Sequence, residues 1–174
     1  MFKEMNNLVL FLENPNKSYN VREVASLLKI SPATASKYLQ SFMKKGLLKY
    51  HQERMLDLYQ ANVENPPYRD LKIYYNITKI RESGLLDAFD QFYLKPTIIF
   101  FGSGAHGYNT HESDFDFVVI SEKTKDFSER DIFEKKLRCE LQIFAVKRLK
   151  DLRNEHLINN VLSGILLQGE IKWI

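Results

Sequence analysis

The sequence predicts an α+β chain of two modules, a small helical one followed by a mixed sheet flanked by helices. Three observations carry this. Apolar residues recur at helical spacing through much of residues 1–45, and Asn65-Pro66-Pro67 then breaks the rhythm. Beyond the break, Thr97–Phe101 and Ser113–Ile120 have the aromatic and β-branched make-up of strands.

The first helix is predicted from Met1 to about Phe11, with Phe2, Met5, Leu8, Val9 and Leu12 on one stripe and Asn14-Pro15-Asn16 as its stop. Val21, Val24, Ala25 and Leu28 mark a second, with Asn20 as N-cap and an end near Lys29-Ile30. A third follows at once. Ser31 caps it, Pro32 suits its first position, and Ala35, Tyr38, Leu39, Phe42 and Met43 form its inner stripe before Gly46 stops it. Leu47–Tyr50 and Leu56–Tyr59 then flank polar His51–Arg54 as a hairpin.

The run VREVASLLKISPATASKYLQSFMKKGLLKY, with its helix, turn, helix, glycine and strand in that order, resembles the winged helix-turn-helix family of bacterial and archaeal regulators. The resemblance implies duplex DNA as a partner, with the third helix in the major groove. Thr34, Lys37, Lys44 and Lys45 would then face phosphates or base edges. Residues 1–65 are expected to form this domain, residues 66–94 a pair of connecting helices, and residues 95–174 the second domain.

Composition bounds the rest. The 174 residues suit one domain or two small ones, and no apolar run approaches the roughly 20 residues that span a bilayer. A membrane is not expected, and neither is a secretory leader, since Glu4 and Glu13 lie in a segment without a small-residue cleavage site. Cys139, the single cysteine, can neither pair internally nor build a thiolate metal site alone, so a reducing, cytoplasmic setting and a buried apolar role are expected. The surplus of +3 lies in the first part, where residues 1–70 hold 10 Lys+Arg against 7 Asp+Glu; the remainder holds 15 of each.

Leu71, Ile73, Tyr74, Ile77 and Ile80 predict the first connecting helix, ending near Gly84, and Leu85–Tyr93 the second, ending before Lys95-Pro96. Thr97–Phe101 is too short and too rich in β-branched and aromatic residues for a helix, so it reads as a buried strand. It runs into Gly102-Ser103-Gly104-Ala105-His106-Gly107. On the strand that follows, alternation puts Asp114 and Asp116 on one face and Phe115 and Phe117 on the other. Two carboxylates so spaced can chelate an oxygen-loving cation together. After it, Asp126, Glu129, Asp131 and Glu134 read as a solvated loop and helix, CELQIFAV as another strand, and Leu149–Ser163 as a last helix.

The segment GSGAHGYNTHESDFDFVVI resembles the signature of the DNA polymerase beta nucleotidyltransferase superfamily, in its minimal, single-domain form. Gly102 and Ser103 match the Gly-Ser pair, Ala105 and Gly107 the small positions of the turn, and Ser113-Asp114-Phe115-Asp116 the element that follows. His106 stands where an arginine is common, which makes the phosphate-facing charge weaker and pH-dependent. The resemblance covers about Phe89 to Ile174 and calls for a third carboxylate on a later strand, for which Glu140 is the candidate; His111 reads as a polar loop side chain.

The resemblance implies a magnesium-dependent transfer of a nucleoside monophosphate from ATP or another NTP to a hydroxyl, with pyrophosphate released. Asp114, Asp116 and Glu140 would be catalytic and hold two Mg²⁺ ions, while Gly102, Ser103, His106, Gly107 and Ser113 would hold the nucleotide. Expected partners are the NTP, duplex DNA, a protein acceptor such as a partner toxin, and a second copy of the chain. The alternative is a non-catalytic DNA-binding regulator that uses the second domain to sense a nucleotide or to assemble.

Overall fold

The computed structural model describes residues 2–171. The chain divides into two compact units, Met1–Lys72 and Ile73–Ile174, and the division falls inside one helix.

The first unit runs α1 (Phe2–Glu13), α2 (Val21–Leu28), α3 (Pro32–Lys44), β1 (Leu48–Glu53) and β2 (Leu56–Ala61), and then enters α4 (Pro66–Glu82). Local chemistry sets the helix ends. The Asn20 side chain accepts from the N–H groups of Arg22 and Glu23 at 2.9 and 3.0 Å, and Glu23 accepts from the Asn20 N–H at 2.8 Å. Ser31 Oγ accepts from the Thr34 N–H at 3.1 Å, and Lys29, in the left-handed region, turns the chain from α2 toward that cap. Leu8, Phe11, Leu12, Val24, Ala35, Leu39 and Phe42 fill the core. The side chains of Phe2 and Met5, expected in the α1 stripe, lie outside the described residues.

Two expectations for this unit change. Met43 is 38% exposed, because Phe42, Leu47 and Leu48 already fill the core beside the last turn of α3. The hairpin loop is shorter than His51–Arg54: the strands run to Glu53 and from Leu56, leaving Arg54 and Met55, both at positive φ, as the turn. At the start of α4, Pro66 and Pro67 occupy the first turn, where a missing N–H costs nothing. The Tyr68 hydroxyl donates to Phe11 O at 2.8 Å and the buried Lys72 ammonium donates to Leu12 O, so α4 satisfies carbonyls at the end of α1.

The second unit continues through α5 (Leu85–Tyr93), β3 (Thr97–Phe101), the single turn α6 (Gly102–Ala105), β4 (Phe115–Ile120), α7 (Arg130–Leu137), β5 (Leu141–Val146), α8 (Glu155–Leu162) and β6 (Ile165–Gln168). Its four-stranded sheet has the order β5-β4-β3-β6, with β4 and β5 parallel and the other pairs antiparallel. The fold is therefore α+β with a mixed sheet. One sheet face buries Ile98, Phe100, Phe115, Phe117 and Val119 beneath α5, α7 and Phe127. The other buries Ile99, Phe101 and Val118 against Val161 of α8.

The helix expected over Leu149–Ser163 is two pieces. A 3-10 turn at Leu149–Leu152 ends in left-handed Arg153, and Asn154 starts α8 afresh by accepting from the Leu157 N–H at 3.0 Å. Asn-capped restarts of this kind interrupt an apolar periodicity without erasing it.

Phe89, fully buried in α5, meets Phe117 at 5.8 Å and Phe127 at 4.9 Å, both edge-on. Phe89→Ala should lower the unfolding free energy by about 3–5 kcal/mol, the usual cost of such a cavity. Urea unfolding followed by tryptophan-independent circular dichroism measures it; a loss under about 1 kcal/mol would show that this aromatic cluster does not hold the sheet.

Candidate active site

Strand β3 delivers the chain into Gly102 at the point where Phe101 pairs with Asp116 across the sheet. Gly102 has φ +72°, a conformation side chains avoid, and a Cβ there would overlap Asp116 Oδ2 and approach its Cγ at 3.1 Å. Glycine is thus required twice, by the backbone and by its neighbour. The Asp116 carboxylate rests on the first residue of the turn that opens α6.

Asp116 follows the alternation of β4. Phe115, Phe117 and Val119 point into the aromatic core, whereas Val118 belongs to the opposite face, so Asp116 shares the α8 face of the sheet. Asp114 stands immediately before the strand, which starts at Phe115 and not at Ser113. Burial, and then the neighbouring Asp114 carboxylate, push Asp116 from 3.8 up to about 6. The charge is held where water alone does not stabilise it well.

Glu140 lies at the entry to β5. The Phe115 N–H donates to Glu140 O at 2.9 Å, and the parallel register pairs Phe115 with Leu141 and Asp116 with Gln142. One step back along that register, Glu140 stands beside Asp114. Its side chain is exposed, and among the described residues no group of three His, Cys, Asp or Glu converges to hold a metal.

The other expected residues are distributed around this pair. Ser103 is exposed on α6, and its carbonyl accepts from the Tyr108 N–H at 3.0 Å. His106 ends that turn with its Nε2 3.5 Å from Ser163 Oγ, at the close of α8. Gly107, at φ +73°, turns the chain back. Ser113 has a local task, since its Oγ accepts from the Thr110 N–H at 2.9 Å and shapes the loop ahead of Asp114. In the first unit Lys37, Lys44 and Lys45 are exposed on or just after α3, while half-buried Thr34 has its hydroxyl 2.8 Å from Ser31 Oγ. Cys139 is partly buried, and burial pushes its thiol up to about 11.

Three contributors escaped the sequence reading. Glu134 was expected on a solvated surface, but it accepts from the Leu141 N–H at 2.9 Å and from Arg130 Nε at 2.7 Å, anchoring the first residue of β5. Both bonds hold its carboxyl below the usual carboxylate range. Asn76 and Asn109 are buried, and the Asn76 amide donates to Gly104 O and to Asn109 Oδ1, each at 2.8 Å. A signal for Asn76 existed: it sits three residues after Ile73 and four before Ile80, on the stripe that was read as apolar.

Residues 82–160 match the model of the nucleotidyltransferase domain. No curated protein matches the chain. The match takes in α5 through most of α8, with Gly102, Ser103, Asp114, Asp116 and Glu140 inside it. It supports a transferase acting on nucleotides, at the level of the domain family. Among the described residues, no helix is long and apolar enough to cross a membrane.

The raised Asp116 has a consequence for stability. Its folded value, about 6, lies above the ordinary 3.8, so the fold favours the neutral acid. That stabilisation is complete below the ordinary value and is lost as pH rises through about 6. In chelator, Asp116→Asn should therefore unfold at higher urea than wild type near pH ~7.5, and the gap should close toward pH ~4. A gap that is absent or reversed at neutral pH would show that Asp116 ionises without strain.

Proposed function

We propose that the second unit transfers a nucleoside monophosphate from an NTP, with ATP the first candidate, to a hydroxyl acceptor. The observation that carries this is the seat of Asp116 on Gly102, which couples a Gly-Ser turn to paired carboxylates, within a segment matching the nucleotidyltransferase domain. Phosphoryl transfer needs alignment and charge neutralisation more than covalent help. A turn of backbone N–H groups beside two hard oxygen donors supplies both.

The donor set fits Mg²⁺, an ion commonly held by one or two carboxylates together with substrate phosphates, without a full protein cage. Asp114 and Asp116 would hold two such ions, one serving the triphosphate and one the acceptor, with Glu140 as a further ligand of the acceptor-side ion. When bound, Mg²⁺ offsets the triphosphate charge and lowers the pKa of the acceptor hydroxyl. Gly102 and Ser103 offer N–H groups and a hydroxyl to the β- and γ-phosphates, with His106, Gly107 and Ser113 shaping the same turn and loop. The acceptor oxygen attacks the α-phosphorus, the bond to the bridging oxygen breaks, and pyrophosphate leaves. Glu140, exposed and in register beside Asp114, is the proposed recipient of the hydroxyl proton.

The first unit, in this reading, is a winged helix that binds duplex DNA through Thr34, Lys37, Lys44 and Lys45. Support comes from the order of α2, α3 and the β1–β2 hairpin and from the exposure of the three lysines. An intracellular, antitoxin-like or autoregulatory role follows from joining the two activities, with a protein hydroxyl, an RNA end or a small molecule as acceptor.

Incubation with α-labelled ATP, Mg²⁺ and each acceptor class tests the transfer. Asp114→Asn or Asp116→Asn should reduce labelling by at least about 10³-fold with the fold retained, whereas Glu140→Gln should lower turnover strongly and spare ATP binding. Labelling that survives either aspartate change would sink the assignment.

For the first unit, Lys37→Ala and the double change Lys44→Ala/Lys45→Ala should weaken duplex DNA binding and flatten its dependence on salt, leaving transfer unchanged. Fluorescence anisotropy with a duplex at two salt concentrations reads this directly. Wild-type protein that shows no salt-sensitive binding at low ionic strength would make the unit a protein-binding element instead.

A further inference from the structure

We infer that Asn76 is a positioning residue for the nucleotide-side turn, acting through Gly104 and Asn109. The inference rests on the transferase reading above and deepens it. Asn76 lies on α4, ahead of the matched segment, and is only 1% exposed. Its Nδ2 donates to Gly104 O and to Asn109 Oδ1, both at 2.8 Å.

A backbone carbonyl can only accept, so the bond to Gly104 fixes which end of the Asn76 amide points toward the turn. Both of its N–H groups are then spent. One holds the third residue of the α6 turn, the other a buried side chain five residues ahead of Asp114. The turn, at Gly104, and the loop that joins it to the carboxylates, at Asn109, are thus both tied to a single helical side chain. The bonds within the segment are local: the Tyr108 N–H donates to Ser103 O at 3.0 Å, the Gly107 N–H approaches Gly104 O at 3.5 Å, and the Thr110 N–H donates to Ser113 Oγ at 2.9 Å. By contrast β4, which carries Asp116, is held on both sides by strand pairing.

The two halves of the site should therefore separate. Losing the Asn76 amide leaves Gly104 O with only the long Gly107 N–H approach and takes the Asn76 donor from Asn109 Oδ1, which loosens the turn that offers N–H groups to phosphates. The carboxylates stay in place. Asn76→Ala should raise KM for ATP, and the Kd for ATP in Mg²⁺ measured by calorimetry, by about tenfold, with kcat within about threefold of wild type. Asn109→Ala, which removes one of the two bonds, should raise both by about threefold, and the double variant should be no worse than Asn76→Ala, since the two residues share a bond.

Full-length variants are compared, with cooperative thermal unfolding as the check on folding and Asp114→Asn as the control. KM and Kd within twofold of wild type in folded Asn76→Ala would overturn the inference, as would a fall in kcat at unchanged KM. Should Asn76→Ala not fold, unchanged KM and Kd in Asn109→Ala overturn it equally. If Asp114→Asn abolishes transfer while the asparagine variants leave ATP affinity alone, only this inference falls. If Asp114→Asn transfers as well as wild type, the transferase reading falls and takes this one with it.

Discussion

The contact on which the second unit depends is that of the Asp116 carboxylate with the Cα of Gly102. It exists because β3 and β4 are antiparallel neighbours whose register sets Phe101 opposite Asp116, one residue before the chain turns. A side chain at the turn would collide with the carboxylate, and a shifted register would carry the carboxylate to the other face. The turn, the strand pair and the charge are thus one arrangement.

That arrangement is held from beneath by aromatic packing. Phe100 and Phe115 meet at 5.2 Å and Phe100 and Phe117 at 5.3 Å on the face opposite the carboxylates. Phe115 and Phe117 flank Asp116 along β4, so burying them turns that acid to the other face. Hydrophobic burial therefore supplies the force that keeps two like charges close together. The strain is recorded in Asp116, whose neutral form the fold prefers, and a cation shared by the pair would relieve it.

Polar anchors complete the frame at its edges. Glu134 fixes the start of β5 through the Leu141 N–H and so sets where Glu140 stands relative to Asp114. The bond from Asn76 to Gly104 ties the α6 turn to α4. Each is a single side chain that satisfies backbone in a place where water has limited access, so each orients a neighbour it does not touch chemically.

Periodicity, caps and turn residues made the sequence legible at the level of elements. Leu85–Tyr93 and Thr97–Phe101 form the helix and strand expected, because a concentrated apolar stripe and a short β-branched run leave few alternatives. The facing of Asp116, opposite Phe115 and Phe117, was also legible, since alternation is a local property of an extended chain. What lay outside local pattern was decided by packing across the fold. Glu134 looked like one more surface acid until β5 brought the Leu141 N–H to it, and the apparent helix over Leu149–Ser163 broke at Arg153 and Asn154. Asn76 was a polar interruption in an apolar stripe until Gly104, 28 residues on, supplied its acceptor. By itself the sequence determined most of the elements and the side on which Asp116 stands, because both follow from neighbours along the chain. Only the tertiary structure decided which polar groups orient the site, because a hydrogen bond between distant residues leaves no period in the sequence.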